Sequence, residues 1–109
     1  MANGLPEVPA AAVPDGAWLL DVREIDEWAA GHVPDATHIP LGQLGARTAE
    51  LPADQQIYVI CRSGVRSARA AQALNGAGWQ AVNVGGGPVL HAAAGRPMTA
   101  DSGAEPFVA

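Results

Sequence analysis

The run Ile57-Tyr58-Val59-Ile60 limits the fold of this 109-residue chain more than any other feature. A short unbroken apolar stretch of this kind, starting at Gln56, predicts a strand buried in a sheet. The polar turn Cys61-Arg62-Ser63-Gly64-Val65-Arg66-Ser67 follows it directly. An alanine-rich helical pattern then runs over 67–76, with Ala70, Ala73 and Leu74 suited to a packed face. Gly76 and Gly78 mark its end.

The same order recurs along the chain. Trp18 to Arg23 predicts a buried strand with a polar end, and Glu24 to Ala30 a short helix. Acids stand in that helix's first turn, where the dipole favours them, and Gly31 is its C-cap. Ala36 to Pro40 predicts a short strand, Gln43 to Leu51 a helical segment stopped by Pro52, and Gln80 to Val84 another strand. A last short helix is expected over Val89–Ala94. Strands alternating with helices define an α/β fold with a mostly parallel central sheet and helices on both faces. Residues 1–15 form a lead-in, with a turn of helix near Pro9–Val13. Residues 16–98 make the domain, and residues 99–109 a polar tail. There is no internal repeat.

Composition removes several classes of function. No run approaches the ~18–20 apolar residues of a membrane span. The first residues, Met1-Ala2-Asn3-Gly4-Leu5-Pro6, lack the basic start and apolar core of a signal peptide. The expectation is a cytoplasmic protein that binds no membrane. The single cysteine excludes an internal disulfide and agrees with a reducing compartment. The net charge is −5, with no lysine among six basic side chains, which argues against a nucleic-acid partner. Three of the six arginines, Arg62, Arg66 and Arg69, nevertheless fall within eight residues beside Cys61.

That contrast gives the turn its chemistry. Only the thiolate of cysteine is a good nucleophile. Positive charge on Arg62 and Arg66 favours it, as do the free N–H groups where a helix starts near Arg66 or Ser67. A turn curling around the sulfur makes a backbone nest for an anion. Gly64 permits backbone angles that a Cβ resists, and Ser67 can act as an N-cap. A buried, inert cysteine is the plainer reading of any strand-end cysteine, but an inert site has no use for a glycine turn and two arginines.

Other residues invite weaker readings. Asp21 and Arg23 form either a fold-stabilising polar pair or a brace behind the cysteine turn. His32, His38 and His91 lack the spacing of a metal site, and His32 suits a backbone hydrogen bond in a turn. Trp18, Trp28 and Trp79 read as core. Glu24, Asp26 and Glu27 read as a solvated, dipole-matched helix start. Gly85-Gly86-Gly87 lacks the spaced glycines and the lysine of a nucleotide loop.

The turn at 61–67 resembles the active-site loop of rhodanese-like sulfurtransferases. Leu19-Leu20-Asp21-Val22-Arg23-Glu24 resembles that family's N-terminal strand motif. Gly31-His32-Val33-Pro34-Asp35-Ala36 through Ile39-Pro40-Leu41 resembles its second motif, and Val84-Gly85-Gly86-Gly87 its last glycine turn. The four motifs occur in the family's order over roughly residues 16–98. One departure is Pro88-Val89-Leu90-His91, where the family's last helix commonly carries a tryptophan.

The resemblance implies that Cys61 takes the outer sulfur of thiosulfate or a similar anionic donor as a persulfide. It then passes that sulfur to cyanide or a thiol. The backbone N–H groups of Arg62, Ser63, Gly64, Val65 and Arg66 would cradle the persulfide, and the Arg62 and Arg66 side chains would face the donor. No cofactor or metal is implied. A thioredoxin-like or other sulfur-accepting protein is a further partner, and a carrier with little small-molecule turnover is the alternative role. Related cysteine phosphatases place five residues between cysteine and arginine. Here four separate Cys61 from Arg66, and position 67 is serine, which argues against phosphate.

Overall fold

The structure, a computed structural model, describes residues 6–9, 12–14, 16–33, 36–61 and 65–85. Five strands form one sheet: β1 (Glu7–Pro9), β2 (Trp18–Asp21), β3 (Thr37–His38), β4 (Ile57–Ile60) and β5 (Ala81–Gly85). Their spatial order is β1-β5-β4-β2-β3, and every pairing is parallel. Helix α1 (Ile25–Ala30) follows β2, and α2 (Val65–Gly76) carries the chain from β4 to β5. The α/β alternation expected from the sequence is therefore present.

The period of two along a strand divides the core. Leu20, Val22, Ile57, Val59 and Cys61 join Ala70, Ala71 and Leu74 of α2 in one cluster. Leu19 and Ile60 join Val13, Val33 and Val84 in a second. Cys61 continues the Ile57–Val59 face of β4, so its side chain belongs with the α2 layer. At the far end of α2, Asn75 acts like a strand neighbour. Its Nδ2 donates to Ala81 O (2.9 Å), and Ala81 N donates to its Oδ1 (2.8 Å), which fixes the helix against β5. Gly78, at φ +99, supplies the left-handed turn between them.

Three local expectations change. β2 ends at Asp21 rather than at the expected Arg23, because Arg23 N donates to Asp21 Oδ1 (2.9 Å) and closes a side-chain turn. The segment expected as a helix over Gln43–Leu51 is instead two 3-10 turns, Leu41–Ala46 and Thr48–Glu50. Gly42 and Gly45 weaken an α-helix there, and buried Leu44 with its neighbour Leu41 anchors a three-residue repeat to the core. Near the N-terminus, Glu7–Pro9 is a strand within the expected lead-in, and Pro9 belongs to it rather than to a turn of helix. It lies at the sheet edge, where a proline without N–H is tolerated. Pro6 O accepts from Asn83 N (2.9 Å), and Glu7 Oε1 accepts from Asn83 Nδ2 (2.7 Å). The helix expected over Val89–Ala94 lies outside the described residues, as does the tail.

Candidate active site

Cys61 sits at the carboxyl end of β4, the position where open parallel sheets present ligand sites. It is fully buried. Ser67 N donates to its Sγ at 3.4 Å, and Sγ lies 3.3 Å from Ser67 Oγ. The sequence suggests an N-cap role for Ser67. The helix begins two residues earlier, at Val65, so Ser67 stands inside the first turn and is fully buried. Its amide is among those a first turn leaves without an intrahelical acceptor, and the sulfur of Cys61 takes that role. As a thiol, Cys61 can donate to Ser67 Oγ; as a thiolate, it can accept from both the amide and the hydroxyl. Val65 is 65% exposed. Arg62, Ser63 and Gly64 lie outside the described residues.

Arg66, expected beside the donor, is held by a carboxylate from the other helix. Its Nη1 donates to Glu27 Oε1 (2.6 Å) and its Nη2 to Glu27 Oε2 (2.8 Å). Glu27 Oε1 also accepts from Glu24 N at the start of α1 (3.0 Å). One carboxylate therefore ties the first turns of α1 and α2 together. The Arg66 hydrogen bond is the main cause holding the Glu27 carboxyl down at about 2. The same pairing raises Arg66 above its ordinary value, with a smaller contribution from charge at Cys61. Glu27 had been read as part of a solvated helix start, and its role here was missed. The acidic first turn was visible, but its partner lies 39 residues away.

This pairing sets a pH dependence. The carboxyl of Glu27 is more acidic in the folded chain than its ordinary 4.5, so the folded state binds fewer protons. The stabilisation is complete above about 4.5 and is lost as pH falls towards 2. With Arg66 31% exposed, screening reduces it to about 1–2 kcal/mol. Urea unfolding should find wild type more stable than Glu27→Gln by that amount at pH 6, with the gap closing below pH 4.5. A gap that stays level from pH 6 to pH 3 would show that the ion pair contributes nothing.

At the end of β2, Asp21 and Arg23 are fully buried and paired, with Arg23 Nη2 3.0 Å from Asp21 Oδ2. Arg23 Nε lies 3.1 Å from both Asp21 carboxylate oxygens, and Nη2 donates to Gly31 O (2.6 Å). His38 Nε2 lies 2.7 Å from Arg23 O. The pair thus binds the end of β2 to the end of α1 and to β3. Asp21 is the register partner of Ile60, the residue before Cys61.

His32 makes the backbone contact expected of it, Nδ1 to Trp28 O at 2.7 Å. His32 and His38 both stack on Trp28, with ring centroids 3.6 and 4.7 Å away. Trp18 and Trp79 pack on the core as expected. Trp28 serves this aromatic cluster, another grouping the sequence reading missed. No group of three metal-ligating side chains forms among the described residues, and His91 lies outside them. No described helix is long and apolar enough to cross a membrane.

A buried cysteine at a parallel strand end, with its sulfur against the first turn of the next helix, defines an α/β protein built around one thiol. The particular family follows from comparison: the rhodanese-like domain matches residues 7–89, and the chain belongs to that family of sulfurtransferases and sulfur carriers. It is 36% identical over 86 residues to a sulfurtransferase of Allochromatium vinosum, covering 78% of this chain and 80% of that one. It is 38% identical over 87 residues to the candidate sulfur carrier protein YrkF of Bacillus subtilis. That match covers 74% of this chain but only 47% of YrkF, so the chain spans about half of that relative. The crystal structure of a rhodanese-related protein from Thermoplasma volcanium superposes with a TM-score of 0.79 at 31% identity. It covers 86% of this chain and 97% of that one.

Proposed function

We propose that Cys61 accepts the outer sulfur of thiosulfate or a similar anionic donor and delivers it to cyanide or a thiol. The observation that carries this reading is the Cys61 sulfur held against the amide and hydroxyl of Ser67. The Cys61 thiolate attacks the outer sulfur of the donor, the donor's S–S bond breaks, and sulfite leaves with the bonding pair. Cys61 then carries a persulfide. An acceptor thiolate or cyanide attacks its outer sulfur and returns the Cys61 thiolate, so no external oxidant or reductant is consumed. The Ser67 donors and the N-terminal end of α2 support negative charge near Cys61. The backbone of 62–66 is proposed as the remaining cradle, Arg62 and Arg66 as the donor's counter-charges, and Asp21 with Arg23 as the brace behind it. The proposed setting is cytoplasmic.

The second reading is a persulfide carrier that serves a thioredoxin-like or other sulfur-accepting protein. One observation favours it: the Arg66 guanidinium is committed to Glu27, which reduces the charge offered to a small dianion. Steady-state thiocyanate formation from thiosulfate and cyanide separates the two. Repeated turnover supports the enzyme. A single loaded sulfur with little turnover supports the carrier, and neither loading nor turnover overturns both.

A further inference from the structure

A concavity lies along α2, built from residues that the proposed sulfur chemistry does not use. Between α2 and the 3-10 turns is a cavity of about 510 Å³, within the size range of small-molecule sites. Leu44 and Leu74 belong to its buried floor, and Leu41 and Trp79 supply further apolar wall. The hollow exists because the facing positions are small: Gly45 on the 3-10 turn, Ala73 on α2 and Ala77 just after its end. Among the described residues, the polar side chains lining it are Thr48 and Arg69, and none is acidic.

Arg69 gives this hollow its chemical preference. The other described arginines are each bound to a carboxylate: Arg23 to Asp21, Arg47 to Glu50 and Arg66 to Glu27. Arg69 is exposed and makes no ion pair with any described residue. In a chain of net charge −5, a guanidinium that no described carboxylate holds, beside an apolar hollow, is a local exception. Glu50, the acid next in sequence to this wall, is occupied by Arg47. A guanidinium binds a carboxylate through two parallel N–H donors.

We infer that this cavity binds a small amphipathic monoanion, a carboxylate with an unbranched or aromatic apolar body. The body lies against Leu41, Leu44, Leu74 and Trp79, and the carboxylate meets Arg69. This site is separate from the proposed transfer chemistry and does not depend on it.

The test is an amide-resolved NMR titration of the full chain with octanoate, octan-1-ol and octylammonium. Octanoate should shift the Trp79 indole and the Thr48 and Ala73 amides saturably. Octanol should bind about fivefold more weakly, the worth of one exposed charge pair, and octylammonium more weakly still. Arg69→Gln, an exposed change that leaves the core intact, should bring octanoate to the level of octanol. Ala73→Leu should fill the hollow and weaken all three. Absence of saturable shifts at these residues would overturn the inference. So would octanoate binding that is unchanged in Arg69→Gln, or shifts centred on Cys61 and Ser67 instead.

Discussion

Arg23→Met should destabilise the protein by about 3–5 kcal/mol, the cost of leaving a buried carboxylate without its counter-ion. Asp21 is fully buried, and the substitution removes the guanidinium that contacts both of its oxygens. The Arg23 backbone N–H would remain as a donor, which cannot neutralise the charge. Gly31 O would lose its bond from Nη2 as well. Against the 5–15 kcal/mol typical of a domain, this is a large share of total stability. Urea unfolding measures it directly. The double change Asp21→Leu with Arg23→Met should recover much of the loss, because an apolar pair of similar volume carries no buried charge. Turnover per folded molecule separates the two roles of the pair. Normal turnover in Asp21→Ala with a large stability loss indicates a structural pair, whereas turnover that falls at full folding indicates a brace for the Cys61 turn. A loss below 1 kcal/mol for Arg23→Met would contradict the structural part.

Cys61→Ser should lower sulfur transfer by at least about a thousandfold, the scale seen when a covalent nucleophile is removed. A serine hydroxyl at neutral pH is a far weaker nucleophile than a thiolate, and no second cysteine exists to substitute for it. The fold should tolerate the change. The side chain stays close to isosteric, and Ser67 N and Oγ remain able to hydrogen-bond the new hydroxyl in place of Sγ. Activity therefore falls without a matching loss of stability. Comparable losses in both would point to a packing role for Cys61.

The contrast between these two sites shows what a sequence of this kind makes legible. Ile57–Ile60 and the helix after it are local patterns, and the alternation of strand and helix fixes a parallel sheet. The position of Cys61 at a strand end follows from the same pattern. The Glu27–Arg66 tie does not, because the two residues are 39 apart and only the topology brings the first turns of α1 and α2 together. β1 was illegible for a related reason. Three residues with a proline have little strand signal of their own, and their order comes from β5 through Asn83. The helical segment expected over Gln43–Leu51 forms as two 3-10 turns because Leu41 and Leu44, three residues apart, share one face of a 3-10 turn, while Gly42 and Gly45 weaken an α-helix. Ser67 looked like a cap because a serine before a helical run usually is one. Because α2 begins at Val65, Ser67 falls inside the first turn and its amide meets the Cys61 sulfur.

The central claim is that Cys61 carries sulfur, and intact-mass measurement after incubation with thiosulfate tests it most directly. The predicted result is a gain of one sulfur atom in the wild-type chain, reversed by cyanide or a thiol and absent in Cys61→Ser. No gain with thiosulfate or any other sulfane donor, or a gain that persists in Cys61→Ser, would contradict it.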